Sequence, residues 1–248
     1  MRSGMTGVVV GGGVGGLAAG LALKGAGVRV RVLEAREQPD ELGAGLALWP
    51  NAMRALEKLG LAGRVAALGA PLQDEIIQRW DGRVLNRGTL NLQRRFGTGG
   101  VCIRRSDLSD LLRDALGPSA VETGTRVVGV DLTAAGAAAL LPGVGRVDGS
   151  FLVGADGLHS VVRREMLGDA PRYLGAIAWR GLAHVTVRSG GLALGRGAHA
   201  GWNPVGRGQT YWFCCANAAA GSRPGDVRTE LLELFGHWSD PVPALIQA

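Results

Sequence analysis

The run Gly11-Gly12-Gly13-Val14-Gly15-Gly16 carries three glycines spaced G-x-G-x-x-G. In that spacing the first glycine allows a tight turn, and the second presents no Cβ to a pyrophosphate. The third lets a helix pack close to a strand. A helix opening at Gly13 would aim free N–H groups and the positive end of its dipole at a diphosphate. Glu34 follows Gly16 by 18 residues. A carboxylate there can accept from both hydroxyls of an adenosine ribose, and it repels a 2′-phosphate. The pattern points to a bound dinucleotide without separating NAD from FAD, since both carry the same adenosine ribose.

The elements needed to position these residues are legible around them. Gly7 to Val10 is a short apolar run, Leu17 to Lys24 reads as a helix ended by Gly25 and Gly27, and Val28 to Leu33 alternates as a strand closing at Glu34. Together they make a βαβ unit on a parallel sheet. After the loop around Gly43-Ala44-Gly45, Pro50 opens a helix with Ala52, Ala55, Leu56 and Leu59 on its apolar face, ended by Gly60. Residues 76–80 and 83–87 form a hairpin turned at Asp81-Gly82. A helix is expected over 107–116, strands over 126–132, 137–141 and 151–153, then Gly154-Ala155-Asp156-Gly157 and a helix through Arg163. Residues 179–216 are strand-like and aromatic. The helix over 226–236 would turn Val227, Leu231, Leu234 and Phe235 inward.

The expected fold class is α/β, a Rossmann-like dinucleotide-binding βαβ layer interleaved with a β-rich layer. Residues 1–70 and 101–168 belong to the first, 71–100 and 169–248 to the second.

Composition narrows the function classes. The chain has 248 residues, 42 of them glycine, a hydrophobic fraction of 46% and a formal net charge of +6. All but two of its 27 basic residues are arginine, which suits a GC-rich coding sequence. Apart from the pairs at 94–95, 104–105 and 163–164 these arginines are scattered, so no nucleic-acid-binding face is expected. Thr6 to Leu23 is uncharged and superficially resembles a signal peptide, but five glycines within 11–16 do not suit a helical apolar region. No membrane span is expected. Three cysteines are an odd count. Cys214 and Cys215 are adjacent in a strand and would face opposite ways, which argues against a disulfide framework and for a reducing cytoplasm. His159, His184, His199 and His237 show no ligand spacing, so no metal is expected.

Along nearly all its length the sequence resembles the FAD-dependent aromatic-ring hydroxylases, the single-component flavoprotein monooxygenases that include salicylate- and urate-hydroxylase-like enzymes. Besides the first fingerprint, the resemblance rests on Gly43-Ala44-Gly45-Leu46, Trp49-Pro50-Asn51-Ala52 and Arg105-Ser106-Asp107-Leu108. Its most specific part is Gly154-Ala155-Asp156-Gly157-x-x-Ser160-x-x-Arg163. Trp179-Arg180-Gly181, Asn203-Pro204-Val205, Tyr211-Trp212-Phe213 and the tail from Phe235 to Ile246 follow in order.

The resemblance implies FAD as cofactor, NADH or NADPH as reductant, and O₂ and a small aromatic compound as substrates. Oxygen would be transferred through a flavin C4a-hydroperoxide. It implies a flavin set of Gly11, Gly13, Val14, Gly15, Gly16, Glu34, Ala35, Arg36, Arg105, Val127 and Asp156. Arg105 would donate to the ribityl and diphosphate region, or is a solvated arginine at a helix start. Asp156 would lie near the diphosphate and also suits a helix cap. Val127 would lend backbone groups to adenine, or is a core valine.

Candidates on the substrate side are His199, Trp202 and Tyr211. Tyr211 either bonds a substrate phenol or carboxylate or is a tyrosine satisfied by backbone. His199 either holds an anion or is a surface histidine.

One family signature has no counterpart, a late Gly-Asp pair followed by a Gly-rich loop. Leu167-Gly168-Asp169-Ala170 reads instead as a turn that stops a helix. The expectation is a chain truncated before that motif, acting as a homo-oligomer or with a complementing chain. The alternatives are a non-catalytic flavoprotein remnant and an NAD-dependent dehydrogenase using the first fingerprint alone.

Overall fold

Valines at 8, 9, 10, 30 and 32 give the first strands apolar residues on both faces, the composition of a parallel sheet covered on both sides. The computed structural model describes residues 4–38, 45–134, 136–222 and 225–248. Its first elements are β1 (Thr6–Val10), α1 (Val14–Gly25), β2 (Arg29–Leu33), β3 (Gly45–Leu48), α2 (Pro50–Lys58) and α3 (Ala62–Leu68). There follow β4 (Ala70–Pro71), β5 (Asp74–Arg79), β6 (Val84–Thr89), α4 (Leu92–Phe96), β7 (Val101–Arg104) and α5 (Arg105–Leu116). Next come β8 (Val121–Glu122), β9 (Gly129–Thr133), β10 (Gly136–Leu140), β11 (Arg146–Gly149), β12 (Phe151–Gly154) and α6 (Val161–Leu167). The last are β13 (Ala176–Ala183), β14 (Gly190–Leu194), β15 (Ala198–Gly206), β16 (Gln209–Asn217), α7 (Val227–Phe235) and α8 (Val242–Gln247).

The fold is mixed α/β and divides into two units, Met1–Glu41 with Leu108–Arg172, and Leu42–Asp107 with Tyr173–Ala248. In the first, a parallel sheet runs β12-β1-β2-β8, with Val9 opposite both Val32 and Val153. One face carries α1, whose Gly20 lies so close to Val32 and Leu116 that a Cβ would sit 3.1 and 3.3 Å from them. An antiparallel meander β11-β10-β9 joins the same unit, and Val8, Val10, Leu33, Val127, Ala139 and Val147 form one buried cluster.

The second unit holds a six-stranded sheet ordered β13-β16-β15-β14-β5-β6 and a small sheet β3-β7-β4. Sequence alone puts 42–70 and 101–107 with the dinucleotide layer, whereas in compactness they go with this second unit. The reason is pairing: β3 and β4 both hydrogen-bond to β7, and β3 lies close to the large sheet, where a Cβ on Gly45 would lie 2.4 Å from Cγ of Tyr211. Large aromatics of the sheet rest on glycines across the strand, Trp202 over Gly191, Trp212 over Gly181 and Phe213 over Gly201. That explains three glycines within strands that would otherwise weaken them.

Several helix faces differ from the periodic reading. In α2 the buried residues are Pro50, Met53 and Leu56, while Ala55 is exposed. In α7 Leu231 and Phe235 are buried, but Val227 and Leu234 are more than two-fifths exposed. A nine-residue helix offers the core one narrow stripe, and the fourth apolar residue falls off it. Gly168 ends α6 in the left-handed conformation and Asp169 pairs with Arg163 at 2.9 Å, the geometry of a helix-stopping turn. Gly43 and Ala44 lie outside the described residues.

Candidate functional site

The fingerprint loop is built from the close approach of three backbone segments. Gly11 stands at φ +106°, a conformation that L side chains rarely adopt. A Cβ on it would lie 2.3 Å from the carbonyl oxygen of Ala155, and a Cβ on Gly16 would lie 1.8 Å from the carbonyl oxygen of Gly11. Gly11 is therefore held between the start of α1 and the turn after β12. The amide of Gly11 donates to Leu33 and that of Ala155 to Val10, each at 2.8 Å, fixing the loop to the strand ends.

Gly13 and Gly15 are different. A Cβ on either would meet nothing within 4 Å. Gly13 caps α1 with φ −73° and ψ 177°, and neither a capping side chain nor an acidic residue occupies the first turn. The N-terminus of a 12-residue helix thus opens, with its donors uncapped by side chains, onto space that two glycines keep clear. That is a cradle for an anion, and the residues present fit a dinucleotide diphosphate.

Glu34 lies where the sequence predicts, at the end of β2, but it has a second task. Its Oε2 accepts from the amide of Gly12 at 2.7 Å and its Oε1 from the amide of Arg36 at 2.9 Å. Each carboxylate oxygen has another acceptor position to offer a ribose hydroxyl. The carboxylate therefore ties the glycine loop to the strand end. Gly12 was not among the predicted residues; its contact with Glu34 is a tertiary one that no spacing rule encodes.

Asp156 follows the turn after β12. Its Oδ1 accepts from the Ser160 hydroxyl at 2.5 Å, and its Oδ2 from the amides of Val161 at 2.6 Å and Val162 at 3.2 Å. Ser160 in turn caps α6 through the amide of Arg163 at 2.9 Å. The side chain is thus a helix cap that fixes the Ala155 turn, and that turn supports Gly11. The helix begins at Val161, after the cap built by residues 154–160, and runs to Leu167, beyond the expected Arg163.

Val127 is a core residue, 7% exposed and packed in the cluster with Val8, Val10 and Leu33. Its neighbour Thr125 donates its amide to the carbonyl of Glu34 at 2.8 Å. Arg105 belongs to the second unit, exposed at the first position of α5.

The substrate candidates separate by strand alternation. In β15 and β16 His199 pairs with Cys215, Gly201 with Phe213 and Asn203 with Tyr211, so these residues share one face of the sheet. On that face His199 meets Phe213 edge-on at 5.8 Å, and Phe213 lies 6.1 Å from Tyr211. Burial pushes the Tyr211 hydroxyl and the Cys215 thiol above their ordinary pKa values, partly opposed by nearby Arg180. Trp202 is on the opposite face, 3% exposed, in the core with Trp179, Phe235 and Trp238. It is a packing residue and not part of a face shared with His199 and Tyr211. An offset of three along a strand reverses the side, a signal present in the sequence. We expect Trp202→Phe to lower unfolding free energy by roughly 1–2 kcal/mol in urea titration while leaving aromatic-ligand affinity unchanged. A large affinity loss at full stability would contradict this placement.

Cys102 and Cys214 are buried and pushed up to about 12, so neither serves as a nucleophile. Among the described residues no group of three His, Cys, Asp or Glu is arranged to hold a metal, and no helix is long and apolar enough to cross a membrane.

Residues 5–187 match the family model described as FAD binding domain. The chain is 36% identical to an aurachin C monooxygenase/isomerase of Stigmatella aurantiaca, covering 100% of this chain and 66% of the relative. It is 34% identical to a 3-amino-4-hydroxybenzoate 2-monooxygenase of Streptomyces cremeus, over 96% of this chain and 63% of that protein. Among solved structures, Klebsiella pneumoniae HpxO complexed with FAD and uric acid superposes with a TM-score of 0.90 at 29% identity, covering 100% of this chain and 66% of that one. The chain thus spans about two thirds of the length of these relatives.

Proposed function

Because the chain belongs to the FAD binding domain family, we propose that it is the FAD-holding part of a monooxygenase that hydroxylates a small aromatic compound at the expense of NADH or NADPH and O₂. The observation that carries the reading is the open, uncapped N-terminus of α1 beside Glu34. FAD, held by these residues, would supply the redox chemistry of an NAD(P)H- and O₂-dependent hydroxylation.

The chain's own residues bind and orient. Gly13, Val14, Gly15 and Gly16 would offer the diphosphate the amides of the first helical turn, with Gly11 holding their angle. Glu34, with Ala35 and Arg36 beside it, would take the adenosine ribose, and Val127 would wall the adenine through its backbone. Asp156 acts at one remove, fixing the turn that supports Gly11, and Arg105 would donate to the ribityl and diphosphate oxygens. The functional FAD-binding domain would comprise 1–70 and 101–168, with 71–100 and 169–248 as the substrate domain. On the latter, His199 and Tyr211 would face the aromatic substrate. The three free cysteines suit a reducing cytoplasm, and the chain would assemble with a second copy of itself or with a partner chain.

The test is to add FAD to the purified chain and follow NAD(P)H oxidation with and without aromatic acids. Oxidation stimulated by an aromatic compound, with hydroxylated product, supports the reading; a chain that takes up no FAD overturns it. Glu34→Gln is expected to weaken FAD binding about tenfold to hundredfold in a flavin-fluorescence titration. An amide keeps one acceptor but turns a donor toward one of the two backbone N–H groups. Affinity within twofold of the parent would show that the carboxylate does not contribute.

A further inference from the structure

We infer that Arg180 is the anchor for a carboxylate carried by the aromatic substrate, so that the sheet face of β13, β16 and β15 selects aromatic acids over neutral rings. The inference rests on the reading of that face as the substrate surface.

Arg180 pairs directly with Phe213 across β13 and β16 and shares its face with Tyr211, Cys215 and His199. Trp179 before it is buried in the core, and Gly181 after it leaves room for the Trp212 ring on the other side. These neighbours fix the register that puts Arg180 on the aromatic side. Its same-strand neighbours on that face are Ala178 and Leu182, neither of which has a charge or a long side chain to compete.

The guanidinium is exposed and has no carboxylate partner among the described residues. The acidic residue on the same face, Glu75 of β5, is four strands away in the sheet order, about 19 Å at ordinary strand spacing and beyond a Debye length at physiological salt. The positive charge reaches the ionisable groups beside it, opposing the effect of burial on both Tyr211 and Cys215. A planar five-donor cation placed opposite Phe213 across the strands, with a phenol and an imidazole on the same face, suits a flat ring lying against Phe213 with a carboxylate at its rim.

The experiment compares 3-hydroxybenzoate with its neutral isostere 3-hydroxybenzamide, titrated calorimetrically into the FAD-loaded full chain and into its Arg180→Gln and Arg180→Lys variants. The parent should prefer the acid. Arg180→Gln should weaken the acid about tenfold to hundredfold and the amide less than twofold, with Arg180→Lys between. FAD content and thermal midpoint should not change, because the side chain is exposed and unpaired. If the parent binds acid and amide equally, or Arg180→Gln weakens both alike, the anchor is overturned while the aromatic surface stands. If the FAD-loaded parent binds neither ring, the substrate surface falls and the anchor with it.

Discussion

Gly13→Val is expected to yield a chain that folds with undiminished stability and retains no FAD. The two halves of this result have separate causes. Gly13 has φ −73° and ψ 177°, which a β-branched residue adopts without strain, and a Cβ there touches nothing within 4 Å. Replacing glycine at such a position restricts the unfolded chain, worth roughly 0.4–1 kcal/mol, which offsets the poorer N-cap that valine makes, so little net change in stability is expected. The isopropyl group then occupies the space in front of the first turn of α1, where the diphosphate must approach the amides. We expect an affinity loss of at least about a thousandfold, on the order of 4 kcal/mol, read by flavin fluorescence titration beside a urea melt of the same sample. Equal FAD content in mutant and parent would remove the diphosphate from this loop.

Gly16→Ala, three residues on, should do the reverse and injure the fold itself. Its Cβ would stand 1.8 Å from the carbonyl oxygen of Gly11. Gly11 cannot yield, since it sits at φ +106° against the carbonyl of Ala155, and the Ala155 turn is locked by the Asp156 cap on α6. Overpacking a core commonly costs 1–3 kcal/mol, and a clash between backbones with no side chain to swing away belongs above that range. We expect about 3–5 kcal/mol, a large share of a domain's stability. The urea midpoint should fall accordingly. A loss under about 1 kcal/mol would mean that helix and loop separate freely, contrary to the packing described. Added side-chain bulk is thus harmless or ruinous to the fold according to which glycine receives it.

The sequence carries more of this site than of the sheet that faces a substrate. Gly11, Gly16 and Glu34 are legible because their roles follow from local geometry: one positive φ, one close helix approach, one strand end. The dual engagement of Glu34 with Gly12 and Arg36 is not legible, because it depends on where β2 ends relative to the loop in space. Asp156 could be read as a cap from its distance to Ser160, and it is one. Trp202 shows the opposite failing. Aromatic type alone suggested a ligand contact, while its position three residues from His199 already assigns it to the other face. Arg180, Phe213 and Cys215 emerge only when β13, β16 and β15 are put in register, a long-range pairing that local patterns do not specify. The boundary between the two compact units differs from the sequence-based division for the same reason, since β3 and β4 find their partner β7 well along the chain.

We propose that the first turn of α1, the glycines before it and the Glu34 carboxylate form a seat for the adenosine diphosphate part of FAD. The most direct measurement is a calorimetric titration of the chain, freed of cofactor, with FAD and separately with ADP. One site per chain is expected for each, with FAD at about micromolar affinity or tighter and ADP competing for the same site. No heat and no retained flavin at about a hundred times that concentration, or FAD binding that ADP does not displace, would contradict it.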